Sequence, residues 1–136
     1  MSSNESPLLL ASYPYSPAPD GSTYPVIQLK ITYKNKVAKP LVLIDSGASI
    51  SLFRADIVES LGIKIRTGKI IYLRGVGGYT KGYIHTLNID LAGKEFKAPI
   101  VFSHEYLSSY NLLGRKGIFK HFTISFKEIE HIVTLT

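Results

Sequence analysis

The feature that most constrains this chain is an apolar run, Leu41-Val42-Leu43-Ile44, that leads directly into Asp45-Ser46-Gly47-Ala48. Such a run predicts a buried strand, so the carboxyl group of Asp45 is expected where it is partly shielded from water. Burying a carboxylate without partners is costly, and Ser46 and Gly47 supply a hydroxyl group and a tight turn. A half-buried, hydrogen-bonded carboxyl group suits acid–base chemistry. The alternative is an ordinary turn, which the tripeptide by itself favours, because Asp, Ser and Gly are all common turn residues.

The composition predicts one folded domain and excludes several kinds of site. The 136 residues are 45% hydrophobic and 19% charged, which is enough apolar material for a single core. The chain contains no cysteine, so disulfides and thiolate metal sites are excluded. Its histidines are dispersed without ligand spacing, so neither a metal nor another cofactor is expected (His85, His104, His121, His131).

Hydropathy and charge bear on membrane segments, on the compartment and on nucleic-acid binding. No apolar segment approaches the roughly 18 residues that a membrane-spanning helix needs, so no membrane segment is expected in this chain. No signal segment is recognisable, which makes a cytoplasmic location a weak expectation and leaves the compartment otherwise unknown. The net charge is +6, but the lysines and arginines are scattered among apolar residues. This pattern favours solubility over nucleic-acid binding, although a basic β-barrel that binds nucleic acid stays an alternative.

Residues 1–22 differ from the rest of the chain. They carry four prolines and few residues that could build a core (Pro7, Pro14, Pro17, Pro19). This composition predicts a flexible, extended arm or linker rather than a helix or sheet. The folded domain is therefore expected to span residues 23–136.

Within that domain the pattern predicts many short strands. Strands are expected at residues 26–32, 38–44, 70–73, 83–91, 96–102, 123–126 and 132–135. A helix of about two turns is expected near residues 56–61, ending at Gly62, and a second helical turn near residues 117–122. Four glycines in residues 75–82 indicate a hairpin tip, and they do not fit a phosphate-binding loop, because Lys81 precedes Gly82. The prediction is an all-β fold with one or two short helices, arranged as a barrel or sandwich.

Three motifs stand in a fixed order: Asp45-Ser46-Gly47-Ala48, then Gly75-Val76-Gly77-Gly78, then Asn111-Leu112-Leu113-Gly114-Arg115. Over about residues 24–136 this set resembles the retroviral-type aspartic proteases, or retropepsins. The resemblance implies a closed acid-protease barrel, present here as a single lobe that dimerises. It implies an aspartic endopeptidase that cleaves extended peptides or proteins, and that could process its own precursor. Since the chain has a single Asp-Ser-Gly, a pair of catalytic aspartates requires a homodimer.

The resemblance also implies roles for individual residues. Asp45 would be the catalytic aspartate, Ser46 would brace the pair of aspartates, and Gly47 would offer its main chain to substrate. The hairpin tip would be the flap that closes over the peptide. Substrate-binding residues would be Ala48, Gly75, Val76, Gly77, Gly78, Tyr110 and Leu112, and Gly114 and Arg115 would form a structural brace. Ser49 stands where many viral members carry a second acid, so Arg115 is expected to have another partner. The alternative function is a catalytically silent module that dimerises or binds peptides.

Overall fold

The chain folds mainly into β-strands, and the all-β prediction is confirmed. The structure is a computed structural model and describes residues 11–136. Its strands are β1 (Ala11–Pro14), β2 (Ser16–Pro17), β3 (Thr23–Tyr24), β4 (Val26–Gln28), β5 (Lys30–Tyr33), β6 (Lys36–Ala38), β7 (Leu41–Ile44), β8 (Ser51–Arg54), β9 (Lys69–Gly75), β10 (Gly78–Leu91), β11 (Lys94–Ser103), β12 (Asn111–Leu113), β13 (Ile124–Lys127) and β14 (Ile132–Leu135). This range also contains one α-helix, α1 (Ala55–Ser60), and two 3₁₀ turns, Ile65–Thr67 and Phe119–His121.

Most strands join one mixed sheet that curls into a half-barrel. Its strand order is β4-β7-β12-β8-β11-β10-β5-β6, and β9 pairs with the first half of β10. The long strands β10 and β11 lie at the centre and pair from Tyr83–Phe102 to Leu91–Lys94. Alternate residues are buried along the second half of β10 and the first part of β11, as expected for strands that present one face to a core, and the last four residues of β11 are all buried (Leu87, Ile89, Leu91, Ala98; Ile100, Val101, Phe102, Ser103).

Two predicted strands are interrupted. The strand expected at residues 26–32 is divided at Leu29, whose N–H donates to the carbonyl of Pro40 at 3.0 Å. The strand expected at residues 38–44 is divided at the same place, because Pro40 has no N–H to continue a ladder. As a result, β4 pairs with β7 and β5 pairs with β6 and β10. The single-strand predictions were wrong at this point.

The proline-rich segment takes part in the fold over its described portion. β1 pairs antiparallel with the C-terminal strand β14, which also pairs with β13, so the three form a separate sheet. Tyr15 is buried against the ring of His131, and burial raises the pKa of its hydroxyl group to about 12. The prediction that this segment avoids sheet structure was therefore wrong for Ala11–Pro14, and also for Ser16–Pro17, which pairs with β3. Residues 1–10 lie outside the described range, and the domain boundary at residue 22 stays a prediction.

The helix α1 lies where the sequence predicts one. Ala55, Val58 and the following Leu61 are buried, and Gly62 ends the turn with a positive φ of 75°. Among residues 11–136, no helix combines the length and hydropathy needed to cross a membrane.

Candidate active site

Asp45 follows β7 at a point where a third strand is inserted between β7 and the next strand of the chain. β12 lies between β7 and β8, parallel to β7 with Leu113 opposite Ile44, and antiparallel to β8 with Leu112 opposite Leu52. The loop between β7 and β8 therefore crosses the carboxyl end of β12. Asp45 is tied to that end, because its N–H donates to the carbonyl of Leu113 at 3.1 Å.

The turn itself holds the carboxyl group of Asp45. The N–H of Gly47 donates to Asp45 Oδ1 at 2.9 Å, and the N–H of Ala48 donates to the carbonyl of Asp45 at 3.2 Å. A Cβ at position 47 would lie 3.2 Å from the same carboxylate oxygen, so glycine allows this close approach. Asp45 is half-buried, whereas Ser46 and Gly47 are exposed. The carboxyl group is thus oriented by the main chain and lies beside an open surface.

The segment after β12 fastens the rest of this loop. The N–H of Gly114 donates to the buried hydroxyl group of Ser51 at 2.9 Å. The N–H groups of Arg115 and Lys116 donate to the carbonyls of Ala48 and Ser49, each at 2.9 Å. We call residues 45–51 the floor loop. Arg115 contacts it through the main chain, and its side chain is exposed.

Asn111, the first residue of β12, binds both of the strands that flank β12. Its amide is buried, donates to the carbonyl of Leu41 at 3.1 Å and accepts from the N–H of Arg54 at 2.9 Å. It therefore links the first residue of β7 to the last residue of β8 across β12. The sequence pattern did not reveal this role, because a polar residue before an apolar pair is a common strand start.

A pocket of about 250 Å³ opens beside the floor loop. On one side it is lined by the floor loop and the strands next to it, and on the other by the hairpin of β9 and β10 (Gly47, Ala48, Ser49, Ile50, Leu52, Leu112; Leu73, Arg74, Gly75, Thr80). Leu73 and Thr80 are directly opposite each other in the hairpin, so they share the face that looks onto the floor loop. Most of the side chains in this lining are apolar or small.

The pocket brings together part of the residue set predicted from the sequence. Gly47, Ala48, Gly75 and Leu112 line it. Eight other predicted residues do not: Asp45, Ser46, Val76, Gly77, Gly78, Tyr110, Gly114 and Arg115. The hairpin tip at residues 75–78, which we call the flap tip, is exposed, and Val76 is fully exposed. Tyr110 lies in the loop before β12, where its carbonyl accepts from the hydroxyl group of Tyr106.

Several lining residues were not predicted. Ile50, Leu52, Leu73 and Thr80 line the pocket, as does Ser49, which the sequence singled out for a different reason. Leu73 and Thr80 could have been found from the hairpin register, since residues at equal distance from the tip face the same way.

Arg74 is the one charged residue among those that line the pocket. In residues 11–136 the one ion pair joins Arg54 and Asp56 at 3.0 Å, and Arg54 also donates to the carbonyls of Ser108 and Ser109. The described part of the chain contains no cluster of three side chains suited to hold a metal ion.

Comparison with solved structures identifies the fold. The retropepsin-like aspartic protease of Rickettsia conorii aligns with a TM-score of 0.63 and 23% identity, over 93% of this chain and 90% of the other. The EIAV protease in complex with the inhibitor HBY-793 aligns with a TM-score of 0.53 and 21% identity, over 68% of this chain and 82% of the other. No protein-family model and no curated protein matches the sequence. The chain therefore has the retropepsin-like fold that the three motifs predict.

Proposed function

We propose that this chain is one half of an aspartic endopeptidase, and that its active site forms when two copies bring their Asp45 carboxyl groups together. The observation that carries the proposal is the Asp45 turn. Its carboxyl group is held by the N–H of Gly47 next to an exposed surface and beside a pocket bordered by a glycine-rich hairpin. The retropepsin-like fold supports it.

The need for a second copy comes from the chemistry of peptide hydrolysis. One carboxylate takes a proton from a water molecule, whose oxygen bonds to the peptide carbonyl carbon, while a neighbouring carboxylic acid protonates the carbonyl oxygen. The tetrahedral diol then breaks its C–N bond, and the leaving nitrogen takes up a proton. The pair as a whole must hold one proton, because two like charges so close cannot both ionise. The chain has one Asp-Ser-Gly, and a twofold axis supplies the second.

The pocket lining supports an apolar side chain as the group bound next to the scissile bond. Ala48, Ile50, Leu52 and Leu112 line it on the side of the floor loop, and Leu73 lines it on the side of the hairpin. A volume of about 250 Å³ is enough for one leucine or phenylalanine side chain. The exposed flap tip would close over an extended peptide and exclude water from the reaction.

The decisive variant is Asp45→Asn, which keeps the shape and the hydrogen bond from Gly47 but removes the acid. We expect hydrolysis of an unstructured peptide mixture, followed by mass spectrometry, to fall by about 10³-fold or more. The far-UV spectrum and the sedimentation coefficient should stay unchanged. Asp20→Asn is the matched control, because Asp20 is an exposed acid that caps the N–H of Ser22, and asparagine can do the same. Full hydrolysis by Asp45→Asn would contradict the proposal.

Mixing experiments test whether the site is shared. If each site needs Asp45 from both copies, an equimolar, fully exchanged mixture of the native chain and Asp45→Asn contains about one quarter native dimers. Its activity should then be about a quarter of that of the same total amount of native protein. Sites that belong to single chains would retain about half, and that result would refute the shared site.

A further inference from the structure

The hairpin that carries the flap tip is bound at Lys81 by two side chains, one from the end of β11 and one from the loop that follows it. The ladder between β10 and β11 ends at the pair Tyr83–Phe102, and β9 accompanies β10 from Ile84 to Gly78. Beyond that ladder β11 ends at Ser103, and the chain continues into the loop at residues 104–110. Lys81 therefore lies two residues past the last pair of the central ladder, in the part of β10 that pairs with β9.

Two side chains bind both main-chain groups of Lys81. Its N–H donates to Glu105 Oε1 at 3.1 Å, and its carbonyl accepts from the hydroxyl group of Ser103 at 2.5 Å. The N–H of Glu105 in turn donates to the Ser103 hydroxyl oxygen at 3.0 Å. These three hydrogen bonds form a closed ring, which we call the hinge clamp. It replaces the backbone pairing that β11 no longer provides.

The packing around the clamp leaves little freedom at this point. Ser103 is buried and Val101 lies close to Gly82, so closely that a Cβ at position 82 would be 2.4 Å from the Val101 side chain. Thr80, on the other side of Lys81, lines the pocket opposite the floor loop. Thr80 is the next residue along the strand, so the main-chain position of Lys81 constrains that of Thr80.

The clamp also belongs to the loop that leads into the pocket. Glu105 stands near the start of the 104–110 loop, and Arg54 holds the other end through the carbonyls of Ser108 and Ser109. The loop then continues into β12, whose Leu112 lines the pocket. Ser103 is opposite Arg54 in the β11–β8 ladder, and Glu105 is bound to Ser103, so the clamp is joined through Arg54 to the far end of this loop.

We propose that Ser103 and Glu105 are positioning residues, which fix the base of the flap so that its pocket-facing residues meet a bound peptide without first having to be ordered. The proposal rests on the proposed function for its effect on substrate, but its effect on the hairpin can be measured without catalysis. Glu105 is exposed, so water competes for its hydrogen bond to Lys81 and the effects of removing it should be moderate.

The test compares Glu105→Ala, Glu105→Gln and Ser103→Ala in the full chain. For peptide hydrolysis, we expect Glu105→Ala to raise KM about 3- to 10-fold and to leave kcat within about twofold. Without the clamp, part of the binding free energy of the peptide is used to order the flap. Glu105→Gln keeps an acceptor oxygen and should restore KM to near the native value. Glu95→Ala is the matched control, because Glu95 is an exposed acid at the far end of the same β10–β11 ladder.

Amide hydrogen exchange provides the readout that does not depend on activity. In Glu105→Ala and Ser103→Ala, the amides of Lys81 and the flap tip should exchange about tenfold faster, and those of the ladder from Tyr83 to Leu91 should keep their protection. If the native chain cleaves no peptide, the proposed function fails while exchange still decides on the clamp. The clamp proposal is overturned if exchange at Lys81 is unchanged in Glu105→Ala, or if Glu95→Ala raises KM equally. If Ser103→Ala alone loses protection throughout the sheet, Ser103 stabilises the whole fold. Exchange and KM in the two Glu105 variants would then decide whether the clamp positions the flap.

Discussion

The two sides of the pocket both contain small residues, mainly serine in the floor loop and glycine in the flap tip, yet they are built in opposite ways. In the floor loop, the N–H of Asp45 donates to the carbonyl of Leu113, and the loop accepts hydrogen bonds from the N–H groups of Gly114, Arg115 and Lys116. The flap tip is paired within its own hairpin, Gly75 opposite Gly78. One side is fixed by a neighbouring segment of chain, and the other is an extension fastened at its base.

The surroundings of the glycines show the same contrast. A Cβ at Gly114 would lie 2.3 Å from the carbonyl carbon of Ile50, whereas a Cβ at Gly77 or Gly78 would meet nothing within 4 Å. Glycine at position 114 allows two segments of main chain to approach, and glycine in the flap tip leaves the hairpin free to bend. A site that must hold a carboxyl group steady and still admit a peptide needs both.

The largest effect should come from Gly114→Ala. The added Cβ would overlap main-chain atoms of Ile50 and Ser51, which cannot move without disturbing the floor loop. We expect a loss of about 3 kcal/mol or more in the free energy of unfolding, measured with urea, together with loss of peptide hydrolysis. Gly77→Ala is the control and should change stability by less than about 0.5 kcal/mol. Equal stability of the two variants would remove the contrast between the two sides.

Ser51→Ala should have a smaller effect on the same side. It leaves the N–H of Gly114 without its acceptor in a buried place, which costs about 1–3 kcal/mol. Ser125→Ala, at an exposed position of β13, is the control and should be close to neutral. A Ser51→Ala variant as stable as the native chain would mean that water or a shifted loop satisfies Gly114.

Gly78→Ala tests the flap tip. Gly78 has a φ of 117°, a conformation that L side chains rarely adopt, although space is available around it. We expect a cost of about 1 kcal/mol, which comes from backbone strain rather than from packing. Asparagine tolerates such angles better than alanine, so Gly78→Asn should recover part of the loss. A cost as large as that of Gly114→Ala would show that the tip is packed as tightly as the floor loop.

The contrast also explains how much could be predicted from the sequence. The apolar run before Asp45, the glycine tip and the Leu112–Arg115 motif are local patterns, and their order was enough to predict the fold. The hydrogen bond from Gly114 to Ser51 joins residues 63 positions apart. Long-range partners of this kind leave no local pattern, so the hydrogen-bonding roles of Ser51 and Asn111 were not predicted.

The arm was misjudged for a related physical reason. Its prolines predicted a segment outside any sheet, but a strand at the edge of a sheet does not need every N–H, and β1 occupies an edge beside β14. Prolines argue against a central strand, and β1 is not one. They do not argue against an edge strand, and the partner of β1 lies at the other end of the chain. Prediction was strongest where pairing is local.

The smallest effect on stability, and the sharpest test of the contrast, should come from Val76→Ser. The Val76 side chain is fully exposed in the single chain, so its removal should change the free energy of unfolding by less than about 0.5 kcal/mol. If the flap tip closes on an extended peptide, the same change removes apolar contact from the closed complex, and KM should rise about two- to fivefold. Leu107→Ser is the control, because Leu107 is another largely exposed aliphatic side chain and does not line the pocket. If KM rises in Val76→Ser but not in the control, and stability is unchanged, the flap tip contributes to binding and not to folding. An unchanged KM would mean that the flap tip has no role in substrate binding. The hairpin side of the site would then consist of Leu73, Gly75 and Thr80.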